Sequence, residues 1–226
     1  MNGTITPQQL PLVLPHEEAL GIDDYLVSSS NQVAFNLVNS WPEWPSPVVL
    51  LAGPIGSGKT HLANVWVEMS GAHIVRAVDL HRFDINTLAE SGPVVVEDIH
   101  VGFDERSLFH LFNAVRLHGS TMLITTRSWP QSMNLQLPDL ASRFRACTPV
   151  EIEEPDDMLL RMVLTKLFAD RQIAIDANVV DFLVVRIERS LNTAAQMVDR
   201  LDRLALASGR KITRVMASRM LESLDE

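Results

Sequence analysis

The 226-residue chain has a single cysteine, Cys147, so it cannot hold an internal disulfide framework, as is usual in a reducing compartment. No lysine or arginine precedes Lys59, and the basic segment that begins a secretory signal is therefore missing. No apolar run approaches the ~18 residues that a membrane span needs. We expect a soluble, cytoplasmic protein with no membrane association.

Basic residues are also scarce, since 19 Lys and Arg against 28 Asp and Glu give a net charge of −9. This balance argues against a nucleic-acid-binding module built on a broad basic face. Hydrophobic residues make up 46% of the chain, which is enough to bury a substantial core.

Short apolar runs alternate with helical patterns up to about residue 154, and this order predicts an α/β fold with a parallel five-stranded sheet. From Pro155 onward the pattern is purely helical. We expect an extended tail over 1–20, an α/β base over 21–154 and a small all-helical lid over 155–226. The predicted strands are Val48–Ala52, Ile74–Val78, Val94–Val96, Met122–Thr125 and Val150–Ile152, and the predicted lid helices are 156–171, Asp176–Ile187, Asn192–Ala207 and Thr213–Leu224.

The most specific motif is a glycine-rich run that fits G-x-x-x-x-G-K-[ST], the pattern of a P-loop. It follows an apolar strand and opens an amphipathic helix, so backbone N–H groups and the helix N-terminus can surround phosphate oxygens. Lys59 is expected to reach the β- and γ-phosphates, and the Thr60 hydroxyl to bind Mg²⁺. The predicted ligand is ADP or ATP with Mg²⁺, and its predicted contacts are Gly53, Pro54, Ile55, Gly56, Ser57, Gly58, Lys59, Thr60 and the adjoining His61.

The apolar strand that begins at Val94 ends in two carboxylates, Glu97 and Asp98. One is expected to hold Mg²⁺ and the other to orient the attacking water. We assign Mg²⁺ to Thr60 and Glu97, and a strand that simply ends in solvated acids is the alternative. After the next strand, Thr126 is a candidate to contact the γ-phosphate, although capping of the strand end explains it equally well.

Arg143 lies between Ser142 and Phe144, after the last long strand. This position suits an arginine finger, which reaches the nucleotide of a neighbouring subunit and stabilises its transition state. Such an arrangement is compatible with a homo-oligomer. An internal ion pair of Arg143 is the alternative.

The P-loop, the Glu97-Asp98 strand end, the segment Leu137–Phe144 and the helical lid together resemble the AAA+ P-loop ATPases of the bacterial replication-initiator (DnaA) clade. The resemblance covers essentially the whole chain. The segment Gly21–Asn31 resembles the one that precedes the P-loop in this clade, which implies that Tyr25 and Leu26 lie near the adenine.

Two features resemble the regulators that inactivate DnaA more than the initiator itself. The chain ends after the lid, without the basic helix-turn-helix domain of an initiator. In addition, the segment Gln9–Pro15 resembles the short peptide with which such regulators bind the DNA polymerase sliding clamp (its beta subunit). Gln9 suits a hydrogen bond at a pocket rim, while Leu10, Leu12 and Leu14 suit an apolar groove. Packing of this tail on its own domain is the alternative.

The chain also departs from the clade's pattern. The lid of the clade usually presents an arginine to the nucleotide, whereas Asn192 takes that position here, with Thr193 as the neighbouring choice and Arg189 about one turn earlier. The sensor after the fourth strand is commonly acidic in the clade, and here the sequence is Thr126-Arg127. Both departures predict weak ATP hydrolysis by the chain itself.

The resemblance implies a negative regulator of chromosomal replication initiation. Tethered to the sliding clamp, it would stimulate hydrolysis of ATP bound to DnaA through Arg143, and it would meet DNA only through the clamp. Two other functions stay open, namely a nucleotide-stabilised clamp adaptor without a catalytic role and a stand-alone AAA+ ATPase or helicase loader. The acidic balance argues against the last.

Overall fold

The structure is a computed structural model that describes residues 21–223. The predicted clamp-binding residues Gln9, Leu10, Leu12 and Leu14 lie outside this range. Within it, no helix combines the length and the apolar character that a membrane crossing requires.

Five parallel strands form one sheet, in the spatial order second, third, fourth, first, fifth. In chain order they are β1 (Val48–Ala52), β2 (His73–Arg76), β3 (Val94–Glu97), β4 (Met122–Thr126) and β5 (Thr148–Glu151). The continuous apolar runs of β1, β3 and β4 are buried on both faces, as expected for central strands of a parallel sheet. Ala52 pairs with Thr126, and Val96 with Ile124, so the carboxyl ends of these three strands meet at one side of the sheet.

Helices cover both faces of the sheet. The first face packs against α1 (Gln32–Asn39) and α2 (Lys59–Ser70), around Trp44 and Trp66. The second face packs against three further helices and buries Val48 and Leu50 of β1. These helices are α3 (Ile85–Glu90), α4 (Glu105–Leu117) and α5 (Pro138–Arg145).

In the part of the chain that the structure describes, four helices follow the sheet and bury an apolar core of their own around Leu164, Phe168 and Leu183. Gly209 adopts a left-handed conformation (φ +63°) where the third of these helices ends, and Thr213 caps the start of the fourth by accepting a hydrogen bond from the Met216 N–H. The helices are α6 (Asp157–Asp170), α7 (Ala177–Val184), α8 (Leu191–Ser208) and α9 (Arg214–Glu222). The predicted parallel sheet with a C-terminal helical lid is confirmed.

Some predicted boundaries were wrong. The second strand ends at Arg76 rather than Val78, because Ala77–Arg82 forms a 3₁₀ turn that buries Ala77 and Leu80 in the core. The predicted helix Asp176–Ile187 ends at Val184.

Candidate nucleotide site

The P-loop connects the carboxyl end of β1 to the start of α2. Its first residue is fixed to the neighbouring strand, since the Gly53 N–H donates a 3.2 Å hydrogen bond to the Thr126 carbonyl. Gly58 has φ +98°, a left-handed conformation that L side chains rarely adopt, and the helix begins directly after it. The glycine therefore allows the sharp turn that brings the N-terminus of α2 to the loop.

The P-loop borders a cavity of about 370 Å³, here called the P-loop cavity, between the sheet and the lid. Its lining combines residues of the loop, the ends of β3 and β4, and the first turns of α8. The lining residues are Ile55, Gly56, Gly58, Lys59, Thr60, His61, Asp98, Arg127, Leu191, Asn192 and Ala195.

Lys59 is buried, and its ammonium donates hydrogen bonds to the carbonyls of Gly53 (2.9 Å) and Pro54 (2.7 Å). Burial, together with the positive charge of Arg127, lowers the pKa of Lys59 to about 8, while Asp98 acts in the opposite direction. A phosphate would favour the protonated form, because an opposite charge nearby stabilises an ammonium. The ammonium has three N–H donors, so one remains for a phosphate oxygen beside the two loop carbonyls.

Ser57 lies at the centre of the loop with its hydroxyl buried. Among the residues that the structure describes, this hydroxyl has no hydrogen-bond partner. An unpaired buried polar group is costly, so it indicates a site built for a further polar partner. Together with Lys59 and the turned glycine, this fits a phosphate group.

The two predicted carboxylates lie beside the loop. Burial and the neighbouring charge of Asp98 raise the pKa of Glu97, while a hydrogen bond with the Thr60 side chain acts against the rise. Asp98 has a left-handed backbone (φ +61°), and its N–H donates a hydrogen bond to the Thr125 hydroxyl (3.0 Å). Strained backbone of this kind concentrates at functional sites.

Thr60, Glu97 and Asp98 supply hard oxygen ligands of the type that Mg²⁺ prefers. Between residues 21 and 223, no group of three or more His, Cys, Asp or Glu side chains could hold a metal ion. One hydroxyl and two carboxylates are a donor set that fits Mg²⁺ in nucleotide sites, where the ion also takes phosphate oxygens and water.

Several predicted site residues lie outside the lining, namely Gly53, Pro54 and Ser57 of the loop, Glu97, Thr126, Tyr25, Leu26 and Arg143. The Thr126 hydroxyl donates a hydrogen bond to the Ser128 carbonyl (2.8 Å), and so it caps the strand end. Tyr25 is buried, stacks on Phe35 (5.4 Å between ring centroids) and meets His61 edge-on (5.0 Å). Tyr25 therefore packs against His61, which lines the P-loop cavity, without lining the cavity itself. The Leu26 carbonyl accepts a hydrogen bond from the side-chain amide of Asn31.

The lid contacts the P-loop directly. The Leu191 N–H donates a 2.7 Å hydrogen bond to the Gly56 carbonyl, and Asn192 lines the cavity. Arg189 is held elsewhere, because its guanidinium binds the Asp157 carboxylate (2.7 Å) and the Pro155 carbonyl (3.1 Å). The lid thus contributes Asn192 to the P-loop cavity, while Arg189 ties α8 to the start of α6.

Arg143 lies on α5, away from the P-loop cavity. Its guanidinium donates a 2.7 Å hydrogen bond to the Asn113 side-chain oxygen and lies 5.9 Å from the Phe109 ring centroid. It borders a second cavity, of about 230 Å³, together with Pro47 and Val48. Val48 is the first residue of β1, and the P-loop follows the last. Arg143 therefore lies at the amino ends of the strands, at the opposite end of the sheet from the P-loop. Within residues 21–223 it has no ion pair.

Arg127 was not among the predicted site residues, although it lines the P-loop cavity. The signal for it is the position directly after β4, since the carboxyl ends of adjacent parallel strands meet at one side of the sheet. Leu191 and Ala195 were also missed, because their place depends on how the lid packs against the base.

The lid of this chain matches a known protein family. Residues 157–221 match the family described as "Hda, lid domain". An uncharacterised protein of Haemophilus influenzae is 24% identical over 224 residues, which cover 91% of this chain and 95% of that protein. The chromosomal replication initiator protein DnaA 2 of Chlamydia caviae is 25% identical over 226 residues, which cover 88% of this chain and 48% of that protein. The chain thus spans about half the length of the initiator relative.

Solved structures show the same fold. Domain III of the Thermotoga maritima replication initiation protein DnaA superposes with a TM-score of 0.76 at 17% identity, covering 93% of this chain and 98% of that one. AMPPCP-bound DnaA from Aquifex aeolicus superposes with a TM-score of 0.70 at 18% identity, covering 80% of this chain and 64% of that one. Both establish the AAA+ architecture of the chain.

Proposed function

We propose that this chain, a DnaA-clade AAA+ protein with a lid of the Hda type, is a negative regulator of replication initiation that stimulates hydrolysis of ATP bound to DnaA. The observation that carries the proposal is the setting of Arg143. This arginine is half-buried, lies across the sheet from the P-loop and has a neutral partner, Asn113. No carboxylate among residues 21–223 therefore forms an ion pair with it, and the guanidinium does not line the chain's own P-loop cavity.

An arginine in this setting is suited to a nucleotide held by another protein. A guanidinium presents several N–H groups in a planar fork that matches phosphate oxygens. One arginine supplied in trans accelerates nucleotide hydrolysis by about 10³–10⁵-fold in other nucleotidases. Arg143 alone is thus sufficient to account for the regulatory effect, with the reacting ATP held between this chain and DnaA.

ADP or ATP bound in the P-loop cavity would have a structural role in this scheme. Lys59, the loop N–H groups and the start of α2 would bind its phosphates, and Thr60 with Glu97 or Asp98 would bind Mg²⁺. Because the cavity is lined by both the base and α8, a bound nucleotide would hold the lid against the base. The Aquifex aeolicus DnaA structure, which contains AMPPCP, supports a nucleotide as ligand.

Weak hydrolysis by the chain itself is part of the proposal. The Thr126 hydroxyl is engaged by Ser128, and Arg189 is bound to Asp157. Neither is therefore placed to stabilise a transition state in the chain's own cavity. This favours a protein that acts on the ATP of a partner.

Recruitment to DNA would come from the tail. Gln9, Leu10, Leu12 and Leu14 form an extended peptide suited to the groove of the sliding clamp beta subunit, and three prolines in 1–20 lower the entropy lost on docking. DNA would then be reached only through the clamp.

The test is the release of phosphate from radiolabelled ATP bound to the matching DnaA, in the presence of clamp loaded on DNA. A variant with Gln9→Ala and Leu10→Ala is compared with a control in which Thr4 and Thr6 of the same tail become alanine. We expect stimulation to depend on the clamp and to be lost only in the first variant. Clamp binding through the tail with the ATP of DnaA left intact would instead establish an adaptor without a catalytic role.

A further inference from the structure

The C-terminal part of the lid has a charge pattern opposite to that of the whole chain. Residues 204–221 contain four basic side chains and no Asp or Glu, although the chain carries a net charge of −9. Three of the four, Arg210, Lys211 and Arg214, lie within five positions that lead into α9. Positive charge is therefore concentrated at the start of this helix.

Arg186, which follows α7, brings a fourth cation to the same part of the lid. Its guanidinium carbon lies 4.0 Å from the centroid of the Phe182 ring, and that of Arg214 lies 4.9 Å from the same centroid. Because both distances end at one point, the two guanidinium carbons are at most about 9 Å apart. Contact with an aromatic ring also stabilises a cation. We call Arg186, Arg210, Lys211 and Arg214 the lid cation cluster.

The four side chains of the lid cation cluster are exposed, and none forms an ion pair with a carboxylate of residues 21–223. Lid arginines elsewhere are paired, for example Arg161 with Asp181 and Arg203 with Asp199. Within the described part of the chain, no ion pair therefore offsets the mutual repulsion of the cluster. A bound anion would be attracted by several of these charges at once.

The chemistry of the cluster suits a chain of phosphate groups. Three of its four members are arginines, and a planar guanidinium binds two oxygens of one phosphate. A nucleic-acid backbone presents closely spaced phosphates, so that cations several ångströms apart can each contact one. Under the proposed function, the tail holds this chain at a clamp loaded on DNA, and duplex DNA is then the polyanion within reach.

We propose that the lid cation cluster binds the phosphate backbone of duplex DNA, independently of its sequence, while the tail holds the chain at the clamp. The inference rests on the proposed function in one respect, namely the tether. It goes beyond that function by giving the lid a contact with DNA of its own.

The expected contact is too weak to recruit the chain without the tether. Affinity for duplex DNA falls with salt at a log–log slope of about −0.9 per neutralised phosphate, so four contacts lose about 100-fold between 50 and 200 mM salt. The net charge of −9 adds repulsion at long range. A tether raises the local concentration of its partner to the millimolar range. The clamp therefore remains the route to DNA, and the cluster makes its contact there.

The first experiment measures binding of the full chain to a short fluorescent duplex, without clamp, over a series of salt concentrations. The cluster variant carries Arg186→Ala and Arg214→Ala. The matched control carries Arg200→Ala and Arg203→Ala, which remove the same two charges from exposed positions of α8 in the same lid. Polyglutamate serves as a competitor that has charge but no phosphate.

We expect the wild type to bind the duplex at low salt with a slope near −3.6, and the cluster variant to bind about tenfold or more weakly with a slope smaller by about two. The control should bind like the wild type. A variant with Arg186→Lys and Arg214→Lys should keep the slope and lose part of the affinity, because it keeps the charges but not the forks. It thereby separates loss of charge from any loss of packing on Phe182.

The second experiment compares the affinities of the chain for free clamp and for clamp loaded on DNA. The wild type should prefer the loaded clamp, and the cluster variant should bind both forms equally. A variant with Gln9→Ala and Leu10→Ala should lose binding to both forms, which reports the tether alone.

Equal duplex affinities and equal salt slopes of the wild type and the cluster variant would overturn the proposal. A wild type that binds no duplex at low salt would also overturn it. Competition by polyglutamate as strong as that of DNA, charge for charge, would assign the cluster to an acidic protein surface instead. Duplex binding through the cluster without any binding to the clamp would leave the DNA contact standing and overturn the proposed tether.

Discussion

The Arg143 guanidinium donates a hydrogen bond to the Asn113 side-chain oxygen across 2.7 Å, and this contact joins α5 to α4. A neutral acceptor orients the arginine without neutralising its charge. The remaining N–H groups of the guanidinium stay available for a phosphate. The pair therefore holds a positive charge in place before any partner arrives, which is the condition for effective transition-state stabilisation.

Replacing Asn113 by alanine should weaken the stimulation of DnaA without abolishing it. The variant keeps Arg143 but loses a hydrogen bond that contributes about 0.5–1.5 kcal/mol. We expect about two- to tenfold less stimulation, measured as phosphate release from DnaA-bound ATP. Nucleotide affinity of the variant should be unchanged, because Asn113 lies outside the P-loop cavity. Full stimulation by Asn113→Ala would show that this hydrogen bond does not position the arginine.

Replacing Lys59 by alanine should remove most of the nucleotide affinity. The ammonium is the buried cation of the P-loop, and the loss of a charged hydrogen bond to phosphate costs at least about tenfold in affinity. Titration with MgADP measures the effect. Lys211→Ala is the matched control, since Lys211 is exposed in the connection before α9. Similar affinities of the two variants would contradict the assignment of the P-loop cavity.

Gly56 is predicted to be essential for the contact between loop and lid. It has φ +68°, and a Cβ there would overlap the Ser190 hydroxyl and lie 3.2 Å from the Asn192 nitrogen. Gly71 has nearly the same conformation (φ +67°) but open space around the added atom. Alanine at either position carries a backbone cost of about 1–2 kcal/mol.

The two glycine variants therefore separate backbone strain from the clash with the lid. We expect Gly56→Ala to lose about 1–3 kcal/mol more stability than Gly71→Ala in urea unfolding, and to lose MgADP affinity as well. Equal losses in both variants, with affinity retained, would mean that α8 does not pack on the P-loop in solution.

Cys147 should react slowly with alkylating reagents in the folded protein. Burial raises the pKa of its thiol from 9.0 to about 12, and the thiolate is the reactive form. The labelling rate at pH 8 is therefore suppressed, and it should rise about tenfold per pH unit between pH 7 and 9. In urea the rate should increase sharply. Rapid labelling of the native chain at pH 8 would contradict the packing of α5 around this residue.

The elements that could be predicted from the sequence are those with strong local signals. The central strands are unbroken apolar runs, and the P-loop glycines lie between a strand and a helix, so neighbouring residues alone identify them. The short helices α3 and α5 were not predicted, because six to eight residues give too little periodicity.

The finer arrangement of the site depends on contacts between distant segments. Arg189 meets Asp157, 32 positions away, and Leu191 meets Gly56 across the boundary between lid and base. No local pattern encodes either pairing. The position of Arg127 in the cavity could have been inferred from the parallel sheet, and capping of the strand end by Thr126 was an alternative that the sequence itself offered.

The most direct test of the account compares Arg143→Ala with Arg145→Ala in the DnaA assay. Both are arginines of α5, but Arg145 is exposed, and its guanidinium donates a hydrogen bond to the Ser142 hydroxyl rather than to Asn113. With clamp loaded on DNA, Arg143→Ala should lose stimulation of ATP hydrolysis by about 10³-fold or more while keeping its nucleotide and clamp binding. Arg145→Ala should stimulate like the wild type. Normal stimulation by Arg143→Ala would contradict the central claim that this arginine acts on the ATP of DnaA.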